Sequence, residues 1–274
     1  MSDGHGRERY GLQELLRIMQ RLRDPELGCP WDLQQDFTSI VPSTLEECYE
    51  LAAAIEAGDH PHLADELGDL LFQVVFYAQL GSERGLFDFP GIVHGLAGKL
   101  LRRHPHVFAN GEIEGVVDAR SDASEVRRQW EQIKAGERAA RREHGALDDV
   151  PLALPALPRA QKLQKRAARV GFDWPGVAPV FDKLEEEVEE LQEALDGGDR
   201  ARIEDELGDL LFTAVNLARH LQLDAESALR RASSKFERRF RTMEAAARER
   251  GESLEEYSEQ ELQWRWEWAK GEDR

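Results

Sequence analysis

A chain of 274 residues can form one large domain or two of ordinary size, and its 41% hydrophobic content suffices for a core, which excludes wholesale disorder. Its 54 acidic residues outnumber 36 basic ones, and a net charge of −18 without a broad basic stripe argues against nucleic acid as a partner. The acidity has two readings: general solubility, or carboxylates gathered to hold cations.

Taken in chain order, the opening MSDGHGRERYG lacks an apolar signal-type core, and no stretch approaches the roughly 18 apolar residues of a membrane span. No membrane partner is expected. Cys29 and Cys48, the two cysteines, have neither metal-ligand nor disulfide-framework spacing, so the expected location is a reducing cytoplasm. In residues 12–23, Leu12, Leu15, Leu16, Met19 and Leu22 share one stripe and predict an amphipathic helix. TLEECYELAAAIEAG predicts a second helix, with Thr44 as its cap, Gly58 at its end and Cys48 as a small packed residue. HLADELGDLLFQVVFYAQL predicts a longer helix, apolar around most of its circumference beyond Asp69 and therefore central in a bundle.

The HPH string at 104–106 lacks a third metal ligand and reads as a turn, and residues 107–125 read as a surface loop. Pro151, Pro155 and Pro158 forbid a continuous helix. Residues 146–158 are accordingly a linker between a first domain, 1–145, and a second, 159–274. Strand alternation is scarce, and the fold class expected is all-α.

DELGDLLF occurs at 65–72 and again at 205–212, an offset of 140. At that offset Glu46, Glu47, Glu50, Glu66 and Asp69 fall on Glu186, Glu187, Glu190, Glu206 and Asp209. At an offset of 136, KLLRR (99–103) falls on KFERR (235–239), and WEQIK (130–134) falls on WEWAK (266–270). One four-residue length change reconciles the two offsets. Three chemically different motifs recur in the same order, so the chain is a tandem repeat of two helical-bundle domains.

In the second copy, Glu187 and Glu190 are three apart, as are Glu206 and Asp209, so each pair shares a helix face. The DGGD at 196–199 supplies a turn between them, and an antiparallel hairpin would bring the pairs face to face. Four carboxylates near an apolar interior repel one another unless they are protonated or neutralised. All-oxygen ligation without His or Cys selects Mg2+, with Mn2+ able to substitute. Glu47, Glu50, Glu66 and Asp69 form a second candidate set. A solvated acidic face is the competing reading, but the apolar Leu-Leu-Phe directly after each second pair weighs against it. Glu-x-x-His, the mark of di-iron bundles, is missing, since Asp209 follows Glu206 and Glu193 follows Glu190 at that spacing.

Magnesium held only by carboxylates usually serves phosphate. Lys235 and Arg239, one helical turn apart and beside Arg238, are candidates to grip phosphate, together with Lys270. Trp266 is a candidate to stack on a base. The first copy offers Lys99, Arg103, Trp130 and Lys134. Salt-bridged surface and core capping are the competing readings of these groups. Neither a GxxxxGK[ST] loop nor a GxGxxG after a strand is present.

The strings EECYE…ADELGDLLFQVVFYAQ and EEVEE…EDELGDLLFTAVNLARH resemble the MazG family of nucleoside triphosphate pyrophosphohydrolases, within the all-α NTP pyrophosphatase superfamily. GCPWD, RRHPHVFA, WEQIK, RAQKLQKRAARVGFDW and KFERRF extend the resemblance over nearly the whole chain. It implies two MazG domains, a homodimer, and Mg2+-dependent hydrolysis of nucleoside triphosphates to monophosphate and pyrophosphate. It also implies that Glu187, Glu190, Glu206 and Asp209 ligate metal, with Lys235, Arg239, Trp266 and Lys270 on the triphosphate and base. Water attack at the α-phosphorus, oriented by Glu186, broad base specificity, and a role in nucleotide-pool house-cleaning or regulation complete the expectation. The alternative from a different class is a non-catalytic helical interaction or regulatory protein whose acidic faces are only solvated.

Overall fold

The structure, a computed structural model, describes residues 9–116, 122–140, 145–148 and 150–272. Among these residues every regular element is helical and no strand occurs. The fold is an all-α tandem repeat, forming two compact units, Met1–Glu137 and Arg138–Arg274.

In the first unit, α1 (Leu12–Leu22) and the short α2 (Pro30–Gln34) precede two long helices, α3 (Val41–Ala57) and α4 (His60–Glu83). Then come α5 (Phe89–Arg103) and α6 (Ala123–Ala140), the latter crossing the boundary between the units. α3 and α4 form a hairpin joined by Gly58 and Asp59. Gly58 adopts a left-handed φ of 68°, which closes the α3 C-terminus, and the Asp59 side chain caps α4 by accepting from the His62 backbone N–H. Val75, Phe76 and Leu80 of α4 pack with Met19 and Ile40 in the core. Burying each such large side chain contributes on the order of 1.5–3 kcal/mol. Arg23, itself buried, ties the end of α1 to both neighbours: it donates to Glu83 at 2.7 and 2.8 Å and to the carbonyl oxygen of Asp32.

Two local expectations are corrected. Thr44 does not cap α3, which begins three residues earlier. Pro42 stands in the first turn, where a missing N–H costs nothing, and the Thr44 hydroxyl instead donates to the Ile40 carbonyl at 3.1 Å. Cys48 is exposed rather than packed, because the buried face of α3 runs through Ala54.

The second unit contains α7 (Ala156–Ala168), α8 (Val177–Gly197), α9 (Arg200–His220), α10 (Ala225–Glu249) and α11 (Glu259–Glu272). α8 and α9 repeat the hairpin, with Gly198 at φ 69° and Asp199 accepting from the Ala201 N–H. The same registers are buried in both copies: Ala54 and Ala194, Gln73 and Thr213, Val75 and Val215. Side chains of α7 fasten the bundle, as Gln164 donates to the Phe212 carbonyl at 2.8 Å and Gln161 to the Leu223 carbonyl at 2.8 Å. Asp173 accepts from both Arg219 and His220, and the Arg219 hydrogen bond holds its carboxyl below the usual range. Pro158 lies in the first turn of α7, and His104 and His106 flank a turn after α5, with the His104 ring hydrogen-bonded to the Leu100 carbonyl. No described helix is long and apolar enough to cross a membrane.

Candidate metal centre

The two hairpins set carboxylates opposite one another. In the second unit Glu187 and Glu190 stand one turn apart on α8, and Glu206 faces them from α9. One carboxylate oxygen from each of the three lies within 4.8 Å of the others. In the first unit Glu47 of α3 meets Glu66 and Asp69 of α4 within the same limit. The structure thus brings together three of the four candidates in each set. Glu50 and Asp209 lie on the same faces but are exposed and outside these groups.

The deepest carboxylate changes helix between copies. Glu66, on the second helix of its hairpin, is 5% exposed; Glu187, on the first helix of its own, is 4% exposed. Each carries a buried Oε2 with no hydrogen-bond partner. An anionic oxygen left so is costly, and such an atom facing further carboxylates fits a hard divalent cation. The field of the group is visible in its neighbours. Burial pushes the Glu47 carboxyl upward, and the charges of Asp69, Glu50, Glu66 and Glu46 add to it. Burial also raises Glu190, against the opposing charge of Lys183 and with further upward push from Glu206, Glu187 and Glu186.

Basic groups beside the cages were not anticipated from the motif. Lys183 Nζ sits 2.7 Å from Glu186, 3.0 Å from Glu187 and 3.9 Å from Glu190. Arg202 lies 3.5 Å from Glu206, and His62 Nε2 lies 3.1 Å from Glu66. Each stands four residues before a carboxylate that it reaches, Glu187, Glu206 and Glu66 in turn, a spacing legible in the sequence.

The candidate phosphate and base groups fall on the helices that follow. Lys235 and Arg239 stand one turn apart on α10, and Trp266 and Lys270 one turn apart on α11. The two helices pack together, with the Phe236 and Trp266 rings 5.2 Å apart, and Lys270 is paired with Glu267 at 2.6 Å. In the first unit Lys99 is exposed on α5, and Trp130 of α6 packs its ring against His104 at 6.2 Å. Arg103 is engaged with Glu137, which also accepts from Arg102 at 2.8 Å and is held down to about 2 by the Arg103 hydrogen bonds first and those of Arg102 second. The side chain of Lys134 lies outside the described residues.

Two helical hairpins in tandem, each bringing carboxylates of both arms together, define an all-α protein with one acidic cluster in each repeat. The MazG nucleotide pyrophosphohydrolase domain matches residues 35–108 and 179–243, which contain the first hairpin, all but the first two residues of the second, and both acidic clusters. The nucleoside triphosphate pyrophosphohydrolase of Escherichia coli K12 is 56% identical over 242 residues, covering 88% of this chain and 89% of that one. The nucleoside triphosphate pyrophosphohydrolase/pyrophosphatase MazG of Thermotoga maritima is 44% identical, covering 95% and 96%. The nucleoside triphosphate pyrophosphohydrolase of Mycobacterium tuberculosis is 35% identical over 163 residues, covering 59% and 46%. The chain belongs to the MazG family and is an enzyme of that family.

Proposed function

We propose that this chain hydrolyses nucleoside triphosphates to monophosphate and pyrophosphate with Mg2+, which Mn2+ can replace. The observation that carries the reading is the buried, unpartnered Oε2 of Glu187, beside Glu190 and opposite Glu206, in a chain 56% identical to the E. coli pyrophosphohydrolase. Glu187, Glu190, Glu206 and Asp209 hold the metal in the second unit, and Glu47, Glu50, Glu66 and Asp69 form the matching set in the first. Bound there, Mg2+ supplies charge neutralisation on phosphate oxygens and lowers the pKa of a ligated water.

The chain's own groups do the remaining work. Lys235, Arg239 and Lys270 grip the triphosphate and stabilise the charge that builds on leaving pyrophosphate. Trp266 stacks on the base. Stacking and triphosphate charge read no base edge, so base tolerance is broad. Glu186, exposed beside the cage, orients the water and takes its proton as the water oxygen bonds to the α-phosphorus and the bond to the β-phosphate breaks. A cytoplasmic role in nucleotide-pool house-cleaning or regulation fits this chemistry. A second copy of the chain covers the apolar stripe Leu67, Leu71 and Val74, exposed along one face of α4.

Product analysis tests the reading. Incubation with a nucleoside triphosphate and Mg2+ should yield monophosphate and pyrophosphate, and Glu187→Gln or Asp209→Ala should lower turnover by roughly 100-fold or more. Diphosphate and phosphate as products, or full activity in both variants, would sink it.

A further inference from the structure

The two cages differ in one respect that their carboxylates do not reveal. In the second unit, Lys183 places its ammonium within 4 Å of three carboxylates, one of them Glu187, whose side chain is only 5% exposed. The position matching Lys183 in the first unit is Ser43. Arg202, which pairs with Glu206 and Glu193, is likewise matched by His62. In the first cage the basic group paired with Glu66 is His62, an imidazole rather than an ammonium or guanidinium. A hydrogen-bonded ammonium on a short tether is a strong local competitor for a cation, since a divalent ion entering the group must displace it or share its ligands.

We propose that Lys183 is a built-in counter-ion that lowers the divalent-cation affinity of the second cage, so that the first cage fills at lower metal concentration. The inference rests on the metal reading of both cages. Two observations support it independently of that reading's chemistry. Lys183 bridges Glu186 and Glu187 with a geometry close to hydrogen bonding on both. The first cage keeps a comparably buried, unpartnered carboxylate oxygen on Glu66, with Ser43 at the position of Lys183.

The consequence is a division of labour. The first cage keeps its metal when the free ion is scarce. The second exchanges its metal over the range in which the supply varies, so occupancy of the second unit follows divalent-cation availability. Lys183 is in this sense an affinity-setting residue for the second cage.

The test is Mn2+ binding to the full-length chain, followed by calorimetry and by the paramagnetic resonance signal of free Mn2+. Glu66→Gln and Glu206→Gln assign the two classes of site. Wild type should show a tighter class lost in Glu66→Gln and a weaker class lost in Glu206→Gln. Lys183→Met, which keeps the stem and removes the charge, should tighten the weaker class by roughly tenfold, and Ser43→Lys should weaken the tighter one. Equal affinities in wild type, or a weaker class unmoved by Lys183→Met, would overturn the inference alone. No Mn2+ binding to either cage at millimolar metal would overturn the metal reading itself. Because the lysine variant only removes an ion pair from a partly exposed site, it keeps the test decisive even where Ser43→Lys disturbs α3.

Discussion

At the scale of single residues, Glu66 and Glu187 each place a carboxyl oxygen where water is scarce, and each has a basic group on its other oxygen rather than a full set of donors. The Leu-Leu-Phe runs pointed to burial of the carboxylates before them, and this holds for Glu66; Asp69 and Asp209 directly before the runs are exposed, and Glu187 lies away from them in EEVEE. Which carboxylate sinks deepest was not legible, because it depends on how closely the hairpin arms approach at each level. Glu137 shows the opposite case, a carboxylate saturated by two arginines. Its carboxyl is held down to about 2, so the Arg102–Glu137–Arg103 tie contributes fully above the ordinary range near pH 4.5 and is lost as pH falls toward 2. Glu137→Gln should therefore destabilise the chain at pH 7 and be indistinguishable from wild type near pH 2. Denaturant unfolding at the two pH values checks this, and an equal deficit at both would contradict it.

At the scale of elements, the cages exist because two-residue turns fold α3 onto α4 and α8 onto α9 in equivalent registers. Gly198 at φ 69° and the Asp199 cap make the second turn. A Cβ at Gly198 would meet nothing within 4 Å, so the cost of Gly198→Ala is conformational alone. It should be about 1 kcal/mol, and Asp199→Ala should cost about as much through the lost cap. Thermal unfolding reads both losses; a neutral result for the pair would mean that packing, not the turn, sets the hairpin. The hairpins, their Gly-Asp turns and the central place of α4 could all be read from periodicity and turn chemistry. The start of α3 could not, because Thr44 offers a cap signal that Pro42, the second residue of a helix begun at Val41, overrides. Asp209 and Glu50 were placed on the right faces by i,i+3 spacing, yet spacing does not fix the rotamer or the exposure that leaves them outside the closest groups.

At the scale of the whole molecule, a duplicated hairpin has been given two electrostatic settings, one with Lys183 and Arg202 beside the cage and one with His62. The repeat offset exposed the duplication, whereas the settings lay in residues outside the repeated motif. The exposed Leu67, Leu71 and Val74 predict a homodimer, so light scattering should give twice the 31.2 kDa chain mass. A monomer at micromolar concentration would contradict that assembly. The central claim is water attack at the α-phosphorus in a carboxylate-held metal site, and hydrolysis in 18O-labelled water followed by mass spectrometry of the products tests it most directly. The label should appear in the nucleoside monophosphate and be absent from pyrophosphate. Label in pyrophosphate, or release of diphosphate and labelled phosphate, would contradict the account.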